Sequence, residues 1–210
     1  MKTKITWLGH SCFKIDYHDY TVIIDPYENG SVPGLGALDQ EANLVLCSHQ
    51  HSDHNAINEV KILPDKPNPF KISIIDTYHD DVKGEKRGKN KIHILENADI
   101  RIAHFGDLGC MLNDDEIAKL QNIDVLLIPI GGVYTIDATQ AKTIVELIKP
   151  MITIPMHYQS AKVGYGVLKT IDDYLKLCND IVYYQSNVIE VSKGMVKQTA
   201  VLNLDKYLTH

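Results

Sequence analysis

Short apolar runs broken by polar turns open the chain. Ile5 to Leu8, Cys12 to Tyr17 and Tyr20 to Ile24 have strand length and are separated by Gly9-His10-Ser11 and by His18-Asp19, which predicts a meander. Asp25-Pro26-Tyr27-Glu28-Asn29-Gly30 stops the third run, and Gly and Pro keep the chain in a loop through Gly36. The short run Asn43 to Cys47 reads as a buried strand that spills into polar residues. A short helix is expected near Ala56 to Val60, after which Pro64, Pro67 and Pro69 force an extended or turning path. Lys71 to Ile75 is the next strand and His79 to Asn90 a polar connection. Lys91 to Leu95 and Ile100 to His104 pair as a hairpin around Glu96-Asn97-Ala98-Asp99.

The second half changes rhythm. Asn113-Asp114-Asp115-Glu116 is an acidic helix start leading to Ile117 and Leu120. Asp124 to Ile128 reads as a buried strand. Asp137 to Ile148 has Ala141, Ile144, Val145 and Ile148 at helical spacing and stops before Pro150. Met151 to Ile154 is a further strand, Val167 to Cys178 a further helix, and Ile181 to Val191 holds one or two closing strands. Strands first and strand–helix alternation afterwards predict an α/β fold, a four-layered αββα sandwich of two mixed β-sheets with helices on the outer faces. At 210 residues the chain is expected to form one domain over 1–210 with a proper core.

Composition narrows the function. The 44% hydrophobic and 23% charged residues are globular averages, and a net charge of -6 argues against a general nucleic-acid surface. The N-terminus enters a strand pattern without a signal-like apolar stretch, and no segment approaches membrane-spanning length. Cys12, Cys47, Cys110 and Cys178 are scattered without a C-x-x-C pair, so free thiols in a cytoplasmic protein are expected.

One segment carries most of the chemistry. His49, His51, Asp53 and His54 form an H-x-H-x-D-H cluster directly after the Asn43 strand. Imidazole and carboxylate together suit zinc, manganese or iron, and two ligand pairs this close can serve two adjacent ions. Each pair needs further ligands. His79, Asp107 and His157 all follow strands, where a sheet-based site collects side chains from separate loops. They supply a third His for the first ion, a bridging carboxylate, and a second His for the other.

This set and its order resemble the metallo-β-lactamase superfamily over nearly the whole chain. Ile5-Thr6-Trp7-Leu8-Gly9-His10-Ser11-Cys12-Phe13, Ile23-Ile24-Asp25-Pro26 and Ile102-Ala103-His104-Phe105-Gly106-Asp107 resemble the branch of UPF0173-type hydrolases, ascorbate-6-phosphate lactonases and N-acyl-phosphatidylethanolamine phospholipase D. His79 through Gly88 and Ile128 through Asp137 are similar to the UPF0173-type proteins in particular. The resemblance implies an αββα sandwich with a dinuclear site between the sheets. His49, His51 and His79 would then bind one ion, and Asp53, His54 and His157 the second, with Asp107 bridging. His79 departs from the family's usual His-x-x-Gly-His turn, which leaves His104 as the rival third ligand or a catalytic residue behind the site.

Two cations lower the pKa of a shared water and polarise a carbonyl or phosphoryl oxygen. Asp53 can also orient that water and move its proton. Around this centre, His10 is either a turn residue or a substrate-facing group, and Asp25 before Pro26 reads as a structural Asx-type turn. Tyr134 follows Gly131-Gly132 and can donate to an oxyanion, against the plainer role of a loop leading to an Asp137 cap. Lys83, Lys86, Arg87, Lys89 and Lys91 read as a solvated tip diluted by Asp80, Asp81 and Glu85; Arg87 is singled out as a substrate contact because it follows the proposed ligand His79.

The leading expectation is a dinuclear hydrolase, with zinc as the default metal and manganese or iron as alternatives, cleaving an ester, lactone or phosphodiester of a small molecule. Neither nucleic acid nor membrane insertion is expected; a homo-oligomer is open. The rivals are a di-iron redox protein and a non-catalytic metal- or ligand-binding protein on the same scaffold.

Overall fold

In the structure, a computed structural model, residues 1–204 and Leu208 are described. The first half builds β1 (Thr3–Gly9), β2 (Cys12–Tyr17), β3 (Tyr20–Ile24), β4 (Gln40–Ala42), β5 (Leu44–Leu46), β6 (Val60–Ile62), β7 (Lys71–Tyr78), β8 (Lys89–Glu96) and β9 (Arg101–His104). The second half adds α1 (Asp114–Lys119), β10 (Val125–Pro129), α2 (Ala138–Ile148), β11 (Ile152–Met156), α3 (Asp172–Leu175), β12 (Ile181–Tyr183), β13 (Val188–Val191) and β14 (Gln198–Val201). Two mixed sheets result, a five-stranded one ordered β13-β1-β2-β3-β5 and a seven-stranded one ordered β12-β14-β11-β10-β9-β8-β7.

Alternation explains the first sheet. The register sets Ile5 opposite Ile15, Trp7 opposite Phe13, Ile15 opposite Val22 and Phe13 opposite Ile24, so these side chains stack on one face. That face joins one continuous core with the seven-stranded sheet, whose β10 and β11 are buried at every position. Parallel strands covered on both sides need such unbroken apolar runs. Cys12 and Ile23 point the other way, into a second cluster with Tyr27, Val32, Leu38, Ala42 and Val60. The outer cover there is the loop after β3 and the paired β4 and β6, because Pro26, Gly30, Pro33, Gly34 and Gly36 exclude a helix.

Helix α2 buries Ala141, Ile144, Val145 and Ile148 in the main core and packs near β10 and α3. Asp137 and Gln140 form a reciprocal capping box at its start, and Lys149 in the left-handed region (φ 56°) ends it. Helix α1 begins with the same device, Asn113 with Glu116.

Three expectations shift. The helix expected over Val167–Cys178 shrinks to α3, because Lys169 N–H donates to Gly131, Gln159 N–H donates to Lys169, and Thr170 bridges to Gln159. Tertiary pairing takes the backbone groups that a helix would use. The helix near Ala56 is a single 3-10 turn, Ile57–Glu59, which feeds β6. Of the one or two closing strands expected over Ile181–Val191, two exist and part company, β12 joining the seven-stranded sheet and β13 the other. All four cysteines are free thiols, and no helix among the described residues is long and apolar enough to cross a membrane.

Strand polarity places the site. β3 and β5 run parallel; in the other sheet β9, β10 and β11 run parallel, and β7 shares their direction because β8 is antiparallel to both β7 and β9. Their carboxyl ends therefore release Asp25, Ser48, His79, Asp107, Gly131 and His157 at one edge of the sandwich.

Candidate metal centre

The loops at that edge gather two donor groups. Ligand atoms of His49, His51 and His79 lie within 4.8 Å of one another, and so do those of His10, Asp53, His54 and His157. Asp107 stands between them. Its Oδ2 is 3.4 Å from His79 Nε2 of the first group, and 3.2 Å and 3.0 Å from His54 and His157 Nε2 of the second. All seven ligands expected from the sequence are thus brought together, with His10 as an eighth residue beside them.

Close backbone approach makes this possible. A Cβ on Gly106 would lie 2.4 Å from Asn90 Oδ1 and from Ser48 Cβ, and one on Gly109 would lie 2.3 Å from the His79 carbonyl carbon. Only glycine lets the Asp107 loop press against the His79 loop. Asn90 Oδ1 accepts from Asp107 N–H at 3.0 Å, and Ser11 Oγ donates to Asp107 Oδ1 at 3.5 Å. His10 (φ 51°), Asp25 (φ 52°) and His157 (φ 51°) all sit in the left-handed region, a strained backbone that the surrounding bonds must hold.

The ligands are aimed from behind. Asp25 is fully buried; its Oδ1 accepts from Ser48 N–H, and its Oδ2 from Ser48 Oγ and from His54 Nδ1 at 2.8 Å. His54 Nε2 is thereby turned toward Asp107. Ser48 Oγ also meets His49 Nδ1 at 2.9 Å, which leaves His49 Nε2 buried without a hydrogen-bond partner. On the pocket side, His10 Nε2 and Tyr165 Oη each lie 3.3 Å from Asp53 Oδ2. The His10 ring packs 4.1 Å from that of His157.

Charge follows the same plan. Burial pushes His49 down to about 3 and His10 down to about 4, helped by neighbouring His54 and His157 respectively, so both imidazoles are neutral donors at pH 7. His79 is lowered by burial too. Burial opposes ionisation of Asp107 and Asp25, yet the imidazoles of His157 and His54 hold Asp107 well below the carboxylate range and the His54 bond holds Asp25 at about 2. His54 is raised because Asp107 and Asp25 outweigh its burial. Neutral His10 and His49, ionised Asp25 and Asp107, and an orphaned His49 nitrogen fit a divalent-cation site, in which a cation would replace the proton that the two carboxylates hold on His54.

His104 does not join this set. Its Nε2 faces the Ser11 carbonyl at 2.8 Å and its Nδ1 accepts from Gly106 N–H at 3.1 Å, so both nitrogens are spent on backbone. It fastens the Ser11 and Asp107 turns from below, and of the two rivals it is His79 whose ring nitrogen lies with those of His49 and His51.

The site opens into a pocket of about 300 Å³ lined by His51, Asp53, His79, Arg87, Asp107, Tyr134, His157 and Tyr165. Arg87 and Tyr134, for which the sequence offered substrate contact beside plainer loop roles, both line it; Tyr165 was missed, its signal being a tyrosine between Gly164 and Gly166. Sequence reasoning also took Asp25 for a loop tie, missing its grip on His54.

Two mixed sheets with His and Asp ligands at their shared edge define a metallo-β-lactamase-type fold. Residues 4–157 match the family profile described as the Beta-lactamase superfamily domain. The chain is 33% identical over 193 residues to a UPF0173 metal-dependent hydrolase of Nanoarchaeum equitans, covering 75% of this chain and 84% of that protein. It is 28% identical over 193 residues to another from Desulforamulus reducens, covering 75% and 85%. A metallo-beta-lactamase-superfamily structure from Thermotoga maritima superposes with a TM-score of 0.77 at 31% identity, covering 95% of this chain and 98% of that one. The chain belongs to the beta-lactamase superfamily, in its branch of UPF0173 metal-dependent hydrolases, and is an enzyme of that fold.

Proposed function

We propose that the protein is a dinuclear metal-dependent hydrolase that cleaves an ester, lactone or phosphodiester bond of a small molecule. The observation that carries this reading is Asp107 Oδ2, which lies 3.0–3.4 Å from imidazoles of both donor groups and so can serve two ions at once. His49, His51 and His79 would hold one cation and Asp53, His54 and His157 the other. Two cations held by these residues would supply an acidified water and a positive charge against the substrate's carbonyl or phosphoryl oxygen.

The chain's own groups do the rest. His10 and Tyr165 fix Asp53 Oδ2, which orients the attacking water and takes its proton. Tyr134, which also lines the pocket, can donate its hydroxyl to the oxygen that gains charge. Zinc is the favoured metal by ligand type, and the Thermotoga maritima relative is described as Zn-dependent; manganese or iron suits the same donors. The small pocket favours a compact substrate over a polymer. A cytoplasmic location is in keeping with the four free thiols.

Zinc-loaded protein offered a panel of esters, lactones and phosphodiesters should turn over at least one class, with kcat falling by about 10²–10⁴ in Asp53→Asn. A silent panel on fully loaded protein would favour the non-catalytic binding reading instead.

A further inference from the structure

Arg87 lines the pocket and is the one Lys or Arg among its lining residues. Its guanidinium carbon lies 5.1 Å from the centroid of the Tyr134 ring, and Tyr134 in turn meets Tyr165 edge-on at 6.4 Å. No carboxylate or carbonyl among the described residues accepts from the guanidinium. The chain's other arginine, Arg101, shows the usual alternative: it donates to the carbonyls of Lys119 and Gln121 and pairs with Glu96.

The backbone around Arg87 is fixed rather than loose. Buried Asp80 accepts four backbone N–H bonds, from Val82 and Gly84 on Oδ1 and from Lys86 and Arg87 on Oδ2, at 2.7–3.0 Å. The loop is thereby wound around one carboxylate, and Gly88 N–H donates to Gly84 O to close it. Lys86, next along the chain, is exposed and pairs outward with Asp81. A guanidinium resting on an aromatic face keeps its N–H edge open, and that planar fork matches the two oxygens of a carboxylate or phosphate.

We infer that Arg87, seated on Tyr134, is an anion anchor, and that the substrate carries a carboxylate or phosphate-type group apart from the bond that is cleaved. The scissile bond lies against the His51, Asp53 and Asp107 side of the pocket, and the anionic group reaches the Arg87 side. The fixed loop and the stacked ring pre-organise the fork, so little side-chain freedom is lost on binding. The inference rests on the hydrolase reading for which end of the substrate reacts, and its test is a binding measurement.

Acetate, succinate and 3-phosphonopropionate are titrated calorimetrically into zinc-loaded protein. One acidic group occupies the metal side in every case, and only the two longer ligands carry a second for Arg87. Wild type should bind the better of the two longer ligands about tenfold more tightly than acetate, the effect of one charge-assisted contact. A preference for the phosphonate marks a phosphate-bearing substrate, and a preference for succinate a carboxylate-bearing one. Arg87→Met should bring that ratio close to one, Arg87→Lys should leave part of it, and Lys86→Met, which removes a charge from the same loop outside the pocket, should preserve it. Zinc content and circular dichroism establish that each variant is folded and loaded. An unchanged ratio in Arg87→Met, or no preference in wild type, overturns the anchor. Turnover of some ester together with a lost anchor sinks this inference alone, whereas an intact ratio without turnover of any substrate sinks the hydrolase reading alone.

Discussion

Asp25 holds a left-handed backbone conformation with no exposed surface, and its carboxylate is divided between Ser48 and His54. Such a partner fixes the tautomer and direction of a ligating imidazole, and losing it commonly weakens metal binding by about 10–100-fold. Asp25→Asn, which tolerates the same backbone, should therefore lower zinc affinity by about that factor in chelator competition. Equal affinity would show that His54 is aimed by packing alone. Asp53 has a matching arrangement on the pocket side, where His10 and Tyr165 hold its Oδ2. The candidate donors were legible in the sequence because four of them cluster within His49–His54 and the other three each follow a strand. Their supports were not, since Asp25, Ser48 and Tyr165 are ordinary residue types whose roles arise only when distant turns meet.

At the scale of elements, the loop between β7 and β8 is the clearest case of a local device with a distant effect. Burial raises the Asp80 pKa, but the four backbone N–H bonds outweigh it and hold the group at about 2. An acid depressed in the folded state contributes stability above its unfolded value of about 4 and loses it as pH falls toward the folded value. Amide exchange at Val82, Gly84, Lys86 and Arg87 should thus lose its protection between about pH 4 and pH 2, and Asp80→Ala should abolish that protection already at neutral pH. Protection unaffected by the substitution would contradict this account of the loop. Helix α2 offers a simpler check: Asp137→Ala removes half of a capping box and should cost about 1 kcal/mol, or roughly 2–4 °C in Tm. Strands and α2 could be read in advance because their apolar periods are strong. Strands β4, β6 and β14 escaped because polar residues such as Gln40, Glu41, Lys61 and Gln198 interrupt their short stretches, and their pairing is decided by partners far along the chain.

For the molecule as a whole, the centre sits at the seam of the two sheets. The His49–His54 cluster follows the five-stranded sheet, and His79, Asp107 and His157 follow strands of the seven-stranded one. Cations held there would cross-link the halves of the sandwich, so chelation should lower Tm, with a loss of about 2.7 kcal/mol of stability per ion where free metal had stood a hundredfold above its Kd. The sequence pattern conveyed the two sheets and their order of appearance, but not which closing strand joined which sheet, because β12 and β13 have similar composition and differ only in what they meet. The proposed function depends on two ions sharing Asp107, and metal analysis of zinc-loaded, dialysed protein by inductively coupled plasma mass spectrometry decides it. Wild type should retain about two ions per chain and the His51→Ala, Asp107→Ala double variant should lose both; full occupancy in that folded variant would rule out the shared pair.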